Sequence, residues 1–399
     1  MFLSSCVRGG GAGWSLYYIL KYLDRSRIEP LVVVPDRGIF SDRFSALGLQ
    51  VHVPRGLPER TAQQRFARHN RMTSAASYAL NLLDSAALAP RLSRLIRDAS
   101  VDLVYCNNMM VKPIGALAAQ LAGVPCVLHA RNLHERPAKV LLYCQCVARL
   151  PAVKRVIANS VATAAPYRSA VPHKVSVVYN GIDLSEYDAR SCERGTFRAS
   201  LGFAPNASLI GFTGNLIPRK GVDILIRAIA RAWPKYPDLQ LVLVGQVPVG
   251  ETQDHRAHYE VLAGKLGIAD RVRFVGFVPD VRSAVRDFDI LVLPSLQEPF
   301  GRSVIEAMAL GTPVVASRVG GIPEIIEHKR DGLLVTPGNA QELAHALELL
   351  LDNAGLRFRL AESARIKVAT KFNVAVLTQE IVHLSLAAAR VESAPALNH

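Results

Sequence analysis

Short runs of Val, Ile and Leu recur along the chain and alternate with segments that carry a helical pattern of apolar residues. Strands that are apolar on both faces are typical of parallel sheets covered by helices on both sides. The runs of the first half are 2–7, 31–34, 103–106, 126–129, 155–158 and 175–178, and those of the second half are 209–212, 239–244, 272–275, 290–293, 313–316 and 332–335. This alternation predicts an α/β fold with two doubly wound parallel sheets.

The length of the chain fits two domains. Its 399 residues exceed the roughly 250 to 300 residues over which one hydrophobic core remains efficient. The polar stretch that follows Gly181 lacks a strand pattern and is the expected boundary region. The predicted divisions are a first domain at 1–185, a second domain at 186–373, a last helix at 374–391 that packs back on the first domain, and a flexible tail at 392–399.

Composition excludes several classes of protein. Hydrophobic residues make up 50% of the chain and charged residues 20%, which fits a soluble globular protein better than a disordered or fibrous one. The apolar stretches are too short for a membrane-spanning helix, and the N-terminus lacks the pattern of a signal peptide. Six cysteines without a C-x-x-C pair are typical of reduced core residues. We therefore expect a cytoplasmic protein that needs neither a metal nor a cofactor.

The positive charge of the chain is concentrated in its first half. The formal net charge is +14, and residues 1–189 hold 23 Lys and Arg against 12 Asp and Glu. This bias favours an anionic partner, and the charge alone leaves a phospholipid surface, an acidic glycan, a phosphate-bearing acceptor and nucleic acid open.

A basic stretch at 55–71, which includes Arg65, Arg68 and Arg71, precedes an apolar stripe at 72–83. One interpretation is an amphipathic helix on an anionic membrane, which would make the protein peripheral at the inner face of the cell membrane. The other is a solvated helix face above a core stripe.

The stretch 294–313 carries the most specific pattern. A predicted strand ends at its start, the following loop holds Glu298 and Gly301, and a predicted helix begins near Arg302 with Glu306 one turn later. Open parallel sheets bind ligands at the carboxyl ends of their strands, and free amides at a helix start suit phosphate oxygens. Since carboxylates repel phosphate, we expect the two glutamates to accept hydrogen bonds from vicinal hydroxyls. The pattern predicts a ligand with a phosphate between two sugars.

A second loop, 211–221, contains the adjacent cations Arg219 and Lys220 between a predicted strand and a predicted helix. Two cations in this position can neutralise a diphosphate. The residue order of a P-loop is absent. An exposed basic pair without a function is the alternative interpretation.

Two features of the first half are weak evidence when taken singly. A glycine-rich loop that includes Gly10 and Gly11 follows the first predicted strand, and such a loop lets the backbone approach a ligand closely. His129 closes a later strand, where a lone histidine is more often a core residue than a catalytic one.

Together these motifs resemble the family 4 retaining glycosyltransferases of the GT-B fold, also called glycosyl transferase group 1. The resemblance covers nearly the whole chain, and the spacing from Glu298 to Glu306, followed by Ala-Met-Ala, is highly specific. It implies two Rossmann-like domains that face each other across a cleft, the first binding the acceptor and the second the nucleotide sugar. The segments that carry it are 9–13, 129, 158–160, 179–183, 219–221, 274–277, 298–306 and 320–324.

The resemblance also implies roles for individual residues. Glu298 would contact the transferred sugar and Glu306 the ribose hydroxyls, while Lys220 would hold the diphosphate. The implied catalytic residues are His129, Lys220 and Glu298. The implied donor-binding residues are Gly10, Gly11, Asn215, Arg219, Lys220, Val278, Glu298, Phe300, Gly301 and Glu306.

Two positions depart from the family pattern. Asn215 stands where similar proteins usually have Arg, so either Arg219 substitutes for it or the diphosphate is held less tightly. Gly13 stands where many similar proteins carry an acidic residue, which leaves acceptor activation at that position open.

The mechanism that the resemblance implies retains the anomeric configuration by a front-face path. The protein then supplies mainly electrostatics and positioning, and activity is expected to need no metal. A double displacement with Glu298 as nucleophile stays an alternative. Asp287 and Asp289 mimic the metal-binding pair of another glycosyltransferase fold, but they lead directly into a predicted strand, so we interpret them as structural.

The expected partners are a nucleotide sugar, UDP- or GDP-linked, and a glycan or lipid-linked acceptor of surface polysaccharide or glycolipid biosynthesis. A sugar-nucleotide epimerase or a phosphorylase would share the fold, but the family 4 motif argues against both. A basic protein that binds nucleic acid is the remaining alternative. An aromatic content of 7% and the lack of a recognised binding module argue against it, so we expect no nucleic-acid partner.

Overall fold

The structure is a computed structural model that describes residues 1–6, 10–54, 74–133, 138–248 and 253–390. The chain divides into two compact units. The first consists of Met1–Gly181 together with the C-terminal helix, and the second consists of Ile182–Asn373.

Among the described residues, the first unit contains a parallel sheet of seven strands in the order β3-β2-β1-β4-β5-β6-β7. The strands are β1 (Phe2–Leu3), β2 (Leu31–Val33), β3 (Gln50–His52), β4 (Val104–Cys106), β5 (Cys126–Ala130), β6 (Val153–Ala158) and β7 (Val175–Val177). The helices are α1 (Gly11–Lys21), α2 (Ile39–Ala46), α3 (Ser74–Asp98), α4 (Lys112–Ala122), α5 (Ala138–Arg149) and α6 (Val161–Arg168).

Successive residues of these strands enter two different cores. Val104 and Leu128 lie in one buried cluster, whereas their neighbours Tyr105 and Val127 lie in the other. The alternation follows from the two-residue period of a strand. The sheet is therefore apolar on both faces because helices cover both, which explains the continuous apolar runs.

The second unit contains, among its described residues, a parallel sheet of six strands in the order β10-β9-β8-β11-β12-β13. The strands are β8 (Ser208–Thr213), β9 (Leu239–Val244), β10 (Val272–Gly276), β11 (Ile290–Leu293), β12 (Val314–Ser317) and β13 (Leu333–Val335). The helices are α7 (Thr196–Ser200), α8 (Val222–Ala232), α9 (His255–Lys265), α10 (Arg282–Asp287), α11 (Arg302–Ala309), α12 (Ile322–Ile325), α13 (Ala340–Asp352) and α14 (Ala354–Lys371). The strand order reverses between β8 and β11, and the crevice at such a reversal is the usual ligand site of doubly wound sheets.

The last helix, α15 (Val374–Arg390), is part of the first unit. Its Leu377 and Ile381 lie in the same buried cluster as Leu16 of α1 and Ile157 of β6. None of the helices in the described part of the chain is long and apolar enough to cross a membrane.

The predicted fold class, two doubly wound parallel sheets, is confirmed. Two details of the strand prediction are wrong. The first strand was expected at 2–7 but ends at Leu3, and among the described residues only one further backbone hydrogen bond, from the Ser4 amide to the carbonyl oxygen of Val33, continues the ladder toward β2. The edge strand β3 was not predicted, because Val51 is its one apolar residue and its side chains are half-buried or exposed.

Candidate active site

The loop between β11 and α11 is held by Gly301. This glycine precedes the first residue of α11 at a φ of 109°, and a Cβ atom there would collide with the Ile322 side chain. Only glycine meets both demands without strain. The helix therefore begins without a side-chain cap, because Gly301 has no side chain to accept hydrogen bonds from its first amides.

Glu298 lies in this loop and is paired with a cation from another loop. Its Oε2 lies 2.5 Å from Lys220 Nζ, and only 8% of the Glu298 side chain and 14% of the Lys220 side chain are exposed. Ser295 Oγ donates a 3.3 Å hydrogen bond to the same carboxylate oxygen. The two predicted site residues are therefore in direct contact at the carboxyl ends of β8 and β11.

The backbone locks the Lys220 loop onto the Glu298 loop. The amide of Leu296 donates a 2.8 Å hydrogen bond to the carbonyl oxygen of Arg219. Gly221 has a φ of 67°, and a Cβ atom there would collide with the carbonyl oxygen of Pro294. The position of Lys220 thus depends on a glycine that lets two loops touch.

Glu306 forms an ion pair within its own helix. Arg302 donates to Glu306 Oε1 through Nη2 at 2.9 Å and Nε at 3.2 Å. Burial raises the pKa of the nearby Tyr187 hydroxyl, and the charge of Glu306 raises it further. Glu306 is one turn into α11, so the second carboxylate lies on the same loop-helix junction as the first.

The remaining donor-site candidates in the second unit differ in exposure. Arg219 and Asn215 are exposed, and the Arg219 side chain has no hydrogen bond or ion pair with the described residues. Val278 is half-buried and follows the exposed Phe277. The Phe300 ring is buried, with its centroid 5.9 Å from that of Phe372, so the ring packs in the core of the unit.

In the first unit, His129 lies at the carboxyl-terminal part of β5 and is only 1% exposed. Its Nδ1 contacts the hydroxyl of Tyr105 on the neighbouring strand β4. Nη2 of Arg131 lies 3.1 Å from the same nitrogen. Burial lowers the pKa of His129 well below its ordinary value, and the charges of Arg131 and Lys112 lower it further. The imidazole is therefore neutral at neutral pH.

The glycines that precede α1 lie in the same unit. Gly10 has a φ of 100°, and Gly10 and Gly11 are both exposed. A Cβ atom at Gly13 would collide with the ring of Phe40, which explains why no acidic side chain stands there. Gly9 and the basic stretch 55–71 lie outside the described residues.

Asp287 and Asp289 serve the fold. Asp287 is fully buried and accepts hydrogen bonds from the amides of Gly195 and Arg198. Asp289 accepts a 2.8 Å hydrogen bond from the amide of Leu209. Both carboxylates accept hydrogen bonds from backbone amides at the start of α7 and in β8. This agrees with the structural role predicted from the sequence. No group of three His, Cys, Asp or Glu side chains in the described ranges is placed to hold a metal ion.

Some of the contacts at the site were not predicted. Ser295, Tyr105, Arg131 and Asn180 all touch a predicted residue or its neighbour. Arg131 directly follows β5, and such a position at the carboxyl end of a parallel strand was the one available signal. The structure brings Lys220 and Glu298 into contact in the second unit and places Glu306 in the helix that follows the Glu298 loop, while His129, Gly10 and Gly11 belong to the first unit.

Comparison with known families covers both units. Residues 9–186 match the family described as Glycosyltransferase Family 4, and residues 193–367 match the family described as Glycosyl transferases group 1. An uncharacterized glycosyltransferase of Methanocaldococcus jannaschii is 30% identical over 304 residues, which are 71% of this chain and 74% of the relative. D-inositol 3-phosphate glycosyltransferase 2 of Catenulispora acidiphila is 35% identical over 270 residues, 63% of this chain and 62% of that protein.

Solved structures resemble the whole chain. Anabaena HepE in complex with UDP-glucose has a TM-score of 0.80 and 29% identity, with 97% of this chain and 98% of that chain covered. Sucrose-phosphate synthase from Thermosynechococcus elongatus has a TM-score of 0.79 at 21% identity, with the same coverage of 97% and 98%. At 21% identity, the similarity to sucrose-phosphate synthase shows the fold alone.

Proposed function

Since the chain belongs to family 4 of the glycosyltransferases, also described as glycosyl transferases group 1, we propose that it transfers a hexose from a nucleotide sugar to a hydroxyl of a glycan or lipid-linked acceptor and retains the anomeric configuration. UDP is the proposed nucleotide, with GDP as the alternative. The choice is supported by HepE, which is 29% identical and was solved with UDP-glucose.

The Lys220–Glu298 contact carries this proposal. A nucleoside diphosphate is a good leaving group once its charge is neutralised, and the Lys220 ammonium supplies that charge. An ammonium has three donors, so Lys220 can keep its 2.5 Å bond to Glu298 while it donates to phosphate oxygens. Glu298 has carboxylate oxygen capacity left for sugar hydroxyls, and Glu306 offers the same to ribose hydroxyls.

The proposed step balances without a further reactant. The bond between the anomeric carbon and the diphosphate oxygen breaks, and a bond from that carbon to the acceptor oxygen forms on the same face. The acceptor proton passes to a phosphate oxygen of the leaving group. Because the cation that stabilises this group is an amino acid side chain, we propose that activity is independent of metal ions.

The test is nucleotide release from UDP-, GDP- and ADP-sugars, with and without EDTA. Lys220→Ala and Glu298→Ala are each expected to reduce turnover on the order of 100-fold or more. Lys235→Ala is the matched control, since its ion pair with Asp352 is exposed, and it should leave turnover unchanged.

The site assignment, metal independence and retention of configuration would each be overturned by a different result. Unchanged turnover in both site variants, or no binding of any nucleotide in calorimetry, would overturn the site assignment. Loss of activity in EDTA that added Mg²⁺ restores would overturn metal independence. A product with inverted anomeric configuration, read from its NMR coupling constant, would overturn retention.

For the acceptor, we propose a glycan or lipid-linked molecule that carries phosphate. The positive charge of residues 1–189 and the name of the D-inositol 3-phosphate glycosyltransferase relatives support this choice. A peripheral position at the membrane would give access to lipid-linked acceptors through the basic stretch 55–71. Equal turnover with a phosphorylated acceptor and its dephosphorylated form, at low and at high salt, would contradict it.

A further inference from the structure

The two ring nitrogens of His129 face different surroundings. Arg131 Nη2 lies 3.1 Å from Nδ1, and a guanidinium can donate hydrogen bonds but never accept them. Nδ1 must therefore carry its lone pair toward Arg131. In a neutral imidazole only one nitrogen bears hydrogen, so the proton belongs on Nε2.

Arg131 is held so that it cannot turn away from His129. Its Nε donates to the carbonyl oxygen and to Oδ1 of Asn107 at 3.2 and 3.1 Å. Its Nη1 donates to Oδ1 of Asn180 at 2.5 Å. Arg131 is itself only 6% exposed, so these three bonds fix the plane of a buried guanidinium.

The other ring nitrogen faces a small buried cavity. His129 Nε2 is buried and has no hydrogen-bond partner among the described residues, and the same holds for Oγ1 of Thr378 on α15. Both residues line one small cavity, together with Asn180, Leu377 and Ile381. Buried polar groups of native proteins nearly always have a partner, so an unpaired N–H marks a place for an oxygen acceptor.

We propose that Arg131 is a positioning residue that fixes His129 as the neutral tautomer with hydrogen on Nε2, so that His129 donates a hydrogen bond to a substrate hydroxyl and cannot act as a general base through that nitrogen. The identity of the hydroxyl as one of a sugar rests on the proposed function. The tautomer itself does not.

The charged and titratable groups that face the ring agree with this assignment. Among the described residues they are Tyr105 on β4, Arg131 after β5, Lys112 at the start of α4 and Tyr179 in the lining of the cavity, while α1 and α15 contribute Ser15 and Thr378. The two cationic groups, Arg131 and Lys112, both lower the pKa of His129. The charge of these neighbours therefore opposes an imidazolium.

The test is a long-range proton–nitrogen NMR spectrum of the full chain labelled with ¹⁵N-histidine. His129→Asn identifies the His129 signals among the 11 histidines by their loss. We expect a protonated Nε2 and an unprotonated Nδ1 throughout pH 6 to 9. A proton on Nδ1, or an imidazolium at pH 7, would overturn the proposal, and this measurement needs no Arg131 variant to fold.

Arg131→Met tests the role of the arginine. Methionine removes the donors, so we expect both tautomers to appear and the pKa of His129 to rise toward its ordinary value. Arg149→Met, at the exposed end of α5, removes a charge elsewhere in the unit and should leave the His129 signals unchanged. A single Nε2–H tautomer with unaltered titration in Arg131→Met would remove Arg131 from the proposal.

These spectra need no substrate. A failure of sugar transfer with the predicted tautomer present would count against the proposed function alone. Sugar transfer by a protein whose His129 carries its proton on Nδ1 would count against this inference alone.

Discussion

At the scale of single residues, Lys220 and Glu298 show how the candidate site stabilises two opposite charges that are largely buried. An isolated carboxylate or ammonium is costly to bury, and the cost falls when the two groups pair. Ser295 adds a hydrogen bond to the pair. A diphosphate that approaches Lys220 therefore meets a cation whose position is already fixed.

Gly221 gives a prediction about how that position is set. Gly221→Ala adds a Cβ atom against the Pro294 carbonyl oxygen at a φ of 67°, so the Lys220 loop must move away from the Glu298 loop. We expect a loss of more than about 2 kcal/mol in the free energy of unfolding of the second unit and a large fall in donor turnover. Chemical denaturation and the nucleotide-release assay measure these two effects.

Gly202→Ala is the matched control for this variant. Gly202 has a φ of 73°, but a Cβ atom there meets nothing within 4 Å. Only the backbone strain of about 1 kcal/mol should appear, with turnover unchanged. Equal losses in the two variants would show that the contact with Pro294 does not position Lys220.

Lys112 gives a prediction about pH. It is 3% exposed and donates a 2.9 Å hydrogen bond to the Tyr167 hydroxyl, and burial lowers its pKa to about 8. Between that value and the unfolded pKa of about 10.4, the unfolded chain binds the proton and the folded chain does not. The free energy of unfolding must therefore rise with pH across this window.

Comparison with Lys112→Met isolates this contribution. The free energy of unfolding of wild type minus that of the variant should increase by about 3 kcal/mol from pH 8 to pH 10.4. Urea denaturation at a series of pH values measures it. Curves that stay parallel over the whole range would mean that Lys112 keeps its ordinary pKa in the folded chain.

At the scale of elements, local patterns predicted most of the fold because most strands of the two sheets are buried on both faces. Such strands read as apolar runs whatever their neighbours are, so β8, β9 and β11 to β13 could be predicted from the sequence. The strand β3 could not, since Gln50 and His52 flank a single Val and the edge of a sheet needs less burial. The end of β1 was missed for a different reason: β1 is a central strand, and the apolar pattern does not show that the strand ends at Leu3, before the polar residues Ser4 and Ser5.

The candidate site also contains residues that local patterns predicted and residues that they did not. Lys220 and Glu298 could be predicted because each lies in a loop that follows a strand, and Glu306 because it lies in the first turns of the helix after the second loop. The network around His129 was not predicted, because Asn180 lies 49 residues from Arg131 in the sequence. Only the order of the strands brings such residues into contact.

The helix α15 gives a prediction about the first unit. Ile381 is 4% exposed and lies in a core that contains residues of α1 and of the sheet. Ile381→Ala should lower the free energy of unfolding of this unit by about 2–4 kcal/mol. Val376→Ala, at a residue 59% exposed on the same helix, should change it by less than about 0.5 kcal/mol. Hydrogen exchange of first-unit peptides in denaturant measures both, and equal effects would mean that α15 does not stabilise this unit through its buried face.

At the scale of the whole molecule, two units with separate cores and separate sheets can respond differently to one ligand. A ligand that binds only the folded form of a unit raises its free energy of unfolding by about 2.7 kcal/mol at 100 times its dissociation constant. If the donor site is built from Lys220, Glu298 and Glu306, addition of UDP should slow hydrogen exchange in the second unit, most strongly in peptides that cover β8, β11 and the start of α11. Lys220→Ala should abolish this protection, whereas Lys235→Ala should retain it. Protection by UDP that is confined to the first unit would place the nucleotide away from these residues, and the assignment of the two glutamates and the lysine to the donor would then be wrong.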